Sequence, residues 1–158
     1  MMTVLRKAAL AAALAVSLTA SALAAGPDVN ATITGLALRG VDPVSYFTSG
    51  RPEPGSIQIT AKHEGADYRF ASEANRDLFL KDPAKYLPQY GGFCAFGTAK
   101  GYKVDGDPAV WKIVEGKLYL NYAPEVNAMW SKAPAQFIGE ADANWTKIKD
   151  KDPAEVAP

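Results

Sequence analysis

Within 158 residues, 17 basic side chains are matched by 17 acidic ones, and cysteine and histidine occur once each. That balance, with no lysine–arginine stripe, excludes an electrostatic grip on a nucleic-acid backbone or an anionic membrane surface. A lone thiol cannot form an internal disulfide, so the core must hold without covalent staples, which a domain of this length can do.

Arg6 and Lys7 precede the apolar run Ala8 to Val16, and Ala22-Leu23-Ala24 supplies a small-x-small cleavage pattern. Together they predict a signal peptide over residues 1–24, cut after Ala24, and hence a periplasmic or secreted protein. The run is shorter than the roughly 20 apolar residues of a bilayer span, so no stable membrane insertion is expected after cleavage. Arg6-Lys7 is not a twin arginine, and no cysteine follows the cut, which points to the general secretory route without a lipid anchor. Losing two bases and no acid leaves the remainder slightly negative, with Met129 its sole methionine.

Residues 25–34 read as a flexible N-terminus, 35–149 as one domain and 150–158 as a frayed tail. Ser56 to Lys62 alternates, with Ile57, Ile59 and Ala61 on one face, and parity places His63 on that apolar side. Glu64-Gly65-Ala66 turns into a partner strand bearing Tyr68 and Phe70, giving a β-hairpin. Ser72 is the expected N-cap of a helix over 73–81 that buries Leu78, with Glu73 suiting the helix dipole. Asp82-Pro83 opens a short second helix. Gly91 to Gly97 reads as extended or looped, and Asp105-Gly106-Asp107-Pro108 as a turn. A second hairpin is expected over 110–122, with Trp111 and Ile113 facing Leu118 and Leu120 across Glu115-Gly116. From Pro124 the period becomes helical: Val126, Met129, Trp130 and Ala133 share one stripe, then Phe137, Ala141, Trp145 and Ile148 share another. Hairpins interleaved with helices predict a small α+β domain with a C-terminal helical segment.

The order of motifs is more specific than any one of them. Gly40-Val41-Asp42-Pro43-Val44-Ser45 is followed by a hairpin ending Tyr68-Arg69-Phe70, a Ser-capped helix, and Phe79-Leu80-Lys81-Asp82-Pro83-Ala84-Lys85-Tyr86. Over Val41 to Tyr86, about a third of the chain after the leader, this resembles the YHS-domain family. Gly91-Gly92-Phe93-Cys94-Ala95 and the segment beyond it are similar to exported bacterial YHS-type proteins. The resemblance implies a YHS-like domain over 35–149 and a link to metals, since the family occurs beside copper-transport and metal-dependent oxidation modules. Its metal-type members carry cysteines at places that here read Ser45, Ala71 and Asn75, so the usual metal site does not carry over.

Soft-ligand chemistry rests on three side chains. Cys94 admits four readings: a small buried hydrophobe, a metal thiolate, half of an intermolecular disulfide, or a nucleophile. His63 is either a hydrogen-bonded strand-end imidazole or a nitrogen ligand near Cys94. Met129, on the Val126/Trp130 stripe, is expected in the core. Were Cys94, His63 and Met129 to converge, the set would suit one copper ion as Cu(I), whereas structural zinc and blue copper need more ligands than one subunit has. A Cys–His nucleophile would require contact and an orienting group, for which Asn121 or Asp42 could serve. No phosphate-cradling loop occurs. Three functions therefore compete: an exported YHS-type module binding copper or a small ligand around Cys94, a thiol enzyme or redox partner using Cys94 with His63, and a metal-free protein-interaction domain. The sequence assigns no catalytic residue and no particular protein partner.

Overall fold

Two tight turns organise the strands. Glu64 and Gly65 have φ of 47° and 79°, and Glu115 and Gly116 have 51° and 75°. Positive φ at both central residues is the two-residue hairpin turn whose twist matches that of paired strands. The computed structural model, which describes residues 26–158, accordingly pairs β1 (Ser56–His63) with β2 (Ala66–Phe70) and β3 (Asp107–Val114) with β4 (Lys117–Asn121), both antiparallel. The leader and its cleavage point lie outside the described residues.

Each hairpin carries helices. A short α1 (Ser45–Thr48) precedes β1; α2 (Glu73–Lys81) and α3 (Pro83–Tyr86) follow β2; α4 (Ala95–Ala99) leads to β3; α5 (Pro124–Trp130) and α6 (Pro134–Ile148) follow β4. The architecture is a small α+β fold with a C-terminal helix. Single bridges extend the hairpin edges: Leu36 runs parallel to Asp67, and Pro88 and Cys94 run parallel to Leu118 and Leu120. No helix among the described residues is long and apolar enough to cross a membrane.

Burial divides into two clusters. In the first, Val44, Tyr46, Tyr68, Phe70, Phe79, Leu118 and Leu120 join the two hairpins to α2. In the second, Tyr90, Tyr119, Trp130 and Ala141 pack β4 against α5 and α6, flanked by Phe96, Phe137 and Trp145. Aromatic contacts run through both, including Tyr46 edge-on to Trp111 at 5.2 Å and Tyr119 against Trp130 at 5.3 Å between ring centres. Such pairs add to the area they bury.

Several sequence expectations hold and others need correction. Ser72 caps α2 as expected, its hydroxyl accepting from the Asn75 N–H at 3.1 Å. Phe79, not Leu78, is the residue α2 buries, because Asn75 and Phe79, one turn apart, face inward while Leu78 is 39% exposed. Ile57 does not share the buried face of Ile59 and Ala61. The register slips between Ser56 and Thr60, so period-two parity breaks and Ile57 is left outside. Met129 is not core: Trp130 takes the inward position of α5 and Met129 is 45% exposed. The Gly91–Gly97 stretch is not merely looped, since Ala95–Ala99 is helical.

Both end segments of the described residues carry hydrogen bonds. Asn30 donates its N–H to the Gly91 carbonyl at 2.9 Å and its side-chain amide to Gly92 at 3.2 Å. Gly91 accepts this approach because its φ is 61° and any Cβ would strike the Asp28 carbonyl. Pro153–Val156 forms a 3-10 turn in which Asp152 caps the Ala154 N–H at 2.9 Å.

Candidate functional site

Cys94 is set by β4 on one side and α4 on the other. Its N–H donates to Val104 at 2.9 Å, and it serves as N-cap of α4, where its sulfur accepts from the Gly97 N–H at 3.4 Å. The thiol donates in turn to Oδ1 of Asn121 at 3.5 Å. Asn121 is fully buried; the same oxygen takes the Phe96 N–H at 3.1 Å, and its amide nitrogen donates to Asn127 at 3.0 Å. Asn121 is thus the group that orients Cys94. Burial pushes the thiol upward from its ordinary value, against the opposing pull of the Gly97, Tyr122 and Phe96 N–H groups. The sulfur is held as a neutral, hydrogen-bonded thiol, which is the unreactive end of cysteine chemistry.

An open cavity of about 340 Å³ has this thiol at its floor. Phe96, Tyr102, Val104, Val126 and Pro158 contribute to its walls, with Tyr122 and Met129 at the rim, and no charged side chain lines it. Tyr122 and Met129 are among the exposed large apolar residues of the described chain, at 61% and 45%. A concave apolar site with one or two polar groups is the common form of a small-molecule pocket, and this volume is at the small end of the usual range.

Of the three soft donors, the structure brings Cys94 and Met129 to one cavity and leaves His63 out of it. His63 ends β1, its ring edge-on to Phe79 at 5.7 Å and its Nε2 3.8 Å from the Glu64 carboxylate. Among the described residues no group of three histidine, cysteine or carboxylate side chains is placed to hold a metal ion. Cys94 and Met129 thus line one cavity, while His63 lies at the end of β1 and does not line it.

A second polar centre lies beside the first hairpin. The fully buried Asp42 accepts the Val44 N–H at 2.8 Å, the Ala71 N–H at 2.9 Å and the Asn75 side-chain amide at 2.7 Å. The Ser45 hydroxyl donates to the Asp42 carbonyl at 2.7 Å and accepts the Glu53 N–H at 3.0 Å. Ser45, Ala71 and Asn75 thus gather around one aspartate. Here the arrangement is a closed hydrogen-bond network that ties α1, β2 and α2 together, with its donors already used.

Lys103 was not singled out by its sequence context. It is 2% exposed, and its ammonium donates to the carbonyls of Pro27, Lys149 and Lys151, each at 2.7 Å. It also lies 5.2 Å from the ring centres of both Phe93 and Trp145. Three donors meet three acceptors at the end of α6, where unpaired helix carbonyls favour a cation. No periodicity announces such a residue, because its partners are backbone atoms remote in sequence. A wider hollow of about 610 Å³ lies nearby, between residues 26–35 and the segment 150–155, with Asp105, Asp150, Asp152 and Glu155 in its walls. It carries no soft donor.

No family model, curated protein or solved structure matches this chain.

Proposed function

We propose that this protein is an exported binding module of YHS-like type, taking a small, uncharged, apolar molecule into the Cys94 cavity. The observation that supports it is the cavity itself: apolar walls, no charged side chain, a rim of exposed Tyr122 and Met129, and one neutral thiol at the floor. Apolar side chains left exposed around a concavity are explained by an occupant better than by packing. The leader pattern supports action in the periplasm or medium. The motif order from Val41 to Tyr86 supports the YHS-like scaffold, and the gathering of Ser45, Ala71 and Asn75 around Asp42 agrees with that resemblance.

The state of the thiol supports binding over catalysis. A nucleophilic cysteine needs a base or a lowered pKa. Cys94 instead donates to an amide oxygen and is pushed upward by burial.

Titration with N-phenyl-1-naphthylamine, an uncharged fluorophore that brightens in apolar sites, tests the reading. One saturable site is expected, abolished by Val126→Trp, which fills the cavity, and retained by Ile57→Trp on exposed surface elsewhere. Absent saturation, or binding indifferent to Val126→Trp, overturns it.

A second reading is favoured by the two sulfurs, Cys94 and Met129, that share the cavity. Two soft donors suffice for Cu(I), although the thiol must first give up its proton. Competition with a Cu(I) chelator decides this case: at most one ion per chain, lost in Cys94→Ser. Equal affinity in parent and variant removes it.

A further inference from the structure

Most walls of the Cys94 cavity belong to well-anchored parts of the fold. Phe96 and Gly97 sit on α4, Val126 and Met129 on α5, and Val104 accepts the Cys94 N–H. Pro158 is the exception. It closes one side from a segment that leaves α6 beyond Ile148 and crosses Lys103 on the way.

The ties of that segment are unevenly distributed. Up to Lys151 it is firmly held, because the buried Lys103 ammonium takes the Lys149 and Lys151 carbonyls at 2.7 Å. Beyond Lys151, the hydrogen bonds of Asp152 to Ala154 and Glu155 are internal to the segment. Among the described residues, the one hydrogen bond from 152–158 to the rest of the molecule is from the Lys103 N–H to the Val156 carbonyl, at 3.4 Å. Pro153 and Val156 are only half-buried, while Asp152, Ala154, Glu155, Ala157 and Pro158 are exposed. A stretch with few buried contacts and one long hydrogen bond opens at low free energy relative to the fold it rests on.

We propose that residues 152–158 form a movable wall of the Cys94 cavity, hinged at the Lys103 clamp, whose release widens access to that cavity and to the thiol that lines it. This rests on the cavity described above but not on its having a ligand. Opening breaks the Lys103–Val156 bond, withdraws Pro158 from the cavity and leaves the ammonium clamp at Lys149 and Lys151 intact. The remaining walls and the Cys94–Asn121 hydrogen bond stay in place, while the cavity that Cys94 lines becomes more accessible from outside.

Two measurements test the wall without using any ligand of the cavity. The first compares the full chain with one ending at Lys151 in the rate at which Cys94 reacts with the neutral disulfide 4,4′-dithiodipyridine, at one pH and under native conditions. The shortened chain should react about tenfold faster or more, as expected when a local opening step is removed, with its urea midpoint little changed. Rates within about twofold, with both chains folded, overturn the proposal. The second measurement guards against a shortened chain that does not fold. Amide hydrogen exchange in the full chain should release the Lys103 N–H far sooner than the Cys94 N–H, which is bonded to Val104. Equal protection of the two amides means that the segment moves only with the whole fold, and the proposal fails. Fluorophore binding with an immobile segment would leave the binding reading standing, and an opening segment without fluorophore binding would leave only the wall.

Discussion

Replacing Asp42 by asparagine is the sharpest perturbation the fold offers, because it keeps the shape and reverses part of the hydrogen-bond polarity. One carboxylate oxygen serves the Val44 N–H, and the other serves both the Ala71 N–H and the Asn75 amide. A carboxamide has one acceptor oxygen, so its best orientation keeps the Ala71 and Asn75 bonds and turns its NH2 group toward the Val44 N–H. The Val44 N–H and the NH2 group facing it are then both left unpaired, costing roughly 1 kcal/mol or more each, and two bonds lose their charge assistance at about 0.5–1 kcal/mol each. The expected loss is ~3 kcal/mol. Asn75→Ala removes one donor while the carboxylate keeps two, so its cost should be smaller, about 1.5 kcal/mol. Urea denaturation followed by circular dichroism provides the assay. With a slope of about 1.5 kcal/mol per molar, usual for a domain of this size, Asp42→Asn should lower the midpoint by ~2 M. A shift no larger than that of Asn75→Ala would refute the network as drawn.

Three smaller tests examine separate parts of the fold. Ser72→Ala removes the cap of α2 and should cost ~1 kcal/mol; an unchanged midpoint at constant slope counts against the cap. Lys103→Met keeps the stem but leaves the carbonyls of Pro27, Lys149 and Lys151 without their cation. A loss of ~2–4 kcal/mol is expected, since these carbonyls lie close to solvent and recover part of the bonding from water; a loss under ~0.5 kcal/mol contradicts the clamp. Burial raises the Cys94 thiol and the Tyr46, Tyr68 and Tyr119 phenols, and for Tyr90 the hydrogen bond to Asp142 adds to burial. For an acid raised in the folded state, the stabilisation is complete below the unfolded value and is lost as pH climbs toward the folded one. Stability should therefore hold to about pH 8.5, begin to fall as unfolded thiol ionises, and fall faster above about pH 10; a flat melting temperature across that window contradicts the burial of these groups.

The sequence was most informative where local chemistry decides structure. Both hairpins, their Glu-Gly turns and the Ser72 cap follow from period-two alternation and short polar signals, and Phe137, Ala141, Trp145 and Ile148 keep their inward stripe on α6. Legibility ended where tertiary context overrides pattern. A register slip at Ser56/Thr60 puts Ile57 in solvent, and on α2 and α5, where adjacent side chains point about 100° apart, the inward positions fall to Phe79 and Trp130 and leave Leu78 and Met129 exposed. Cys94 stood out as an isolated thiol, but its helix-capping role was hidden because glycine neighbours suggested a loop and α4 is only five residues long. Asn121 was visible only as one polar group that could orient a cysteine. Tyr102, Val104 and Pro158 gave no signal, for a cavity wall assembled from separate segments has no sequence period.

The most direct test of the central claim uses Met129 as its own reporter. With its methyl carbon labelled and its resonance assigned by Met129→Leu, the protein is titrated with N-phenyl-1-naphthylamine while the His63 ring protons are followed in the same spectra. Binding in the Cys94 cavity predicts that the Met129 methyl shifts and saturates while His63, outside that cavity, stays in place. A Met129 signal unmoved at concentrations that saturate fluorescence, or one matched by an equal response at His63, would contradict it.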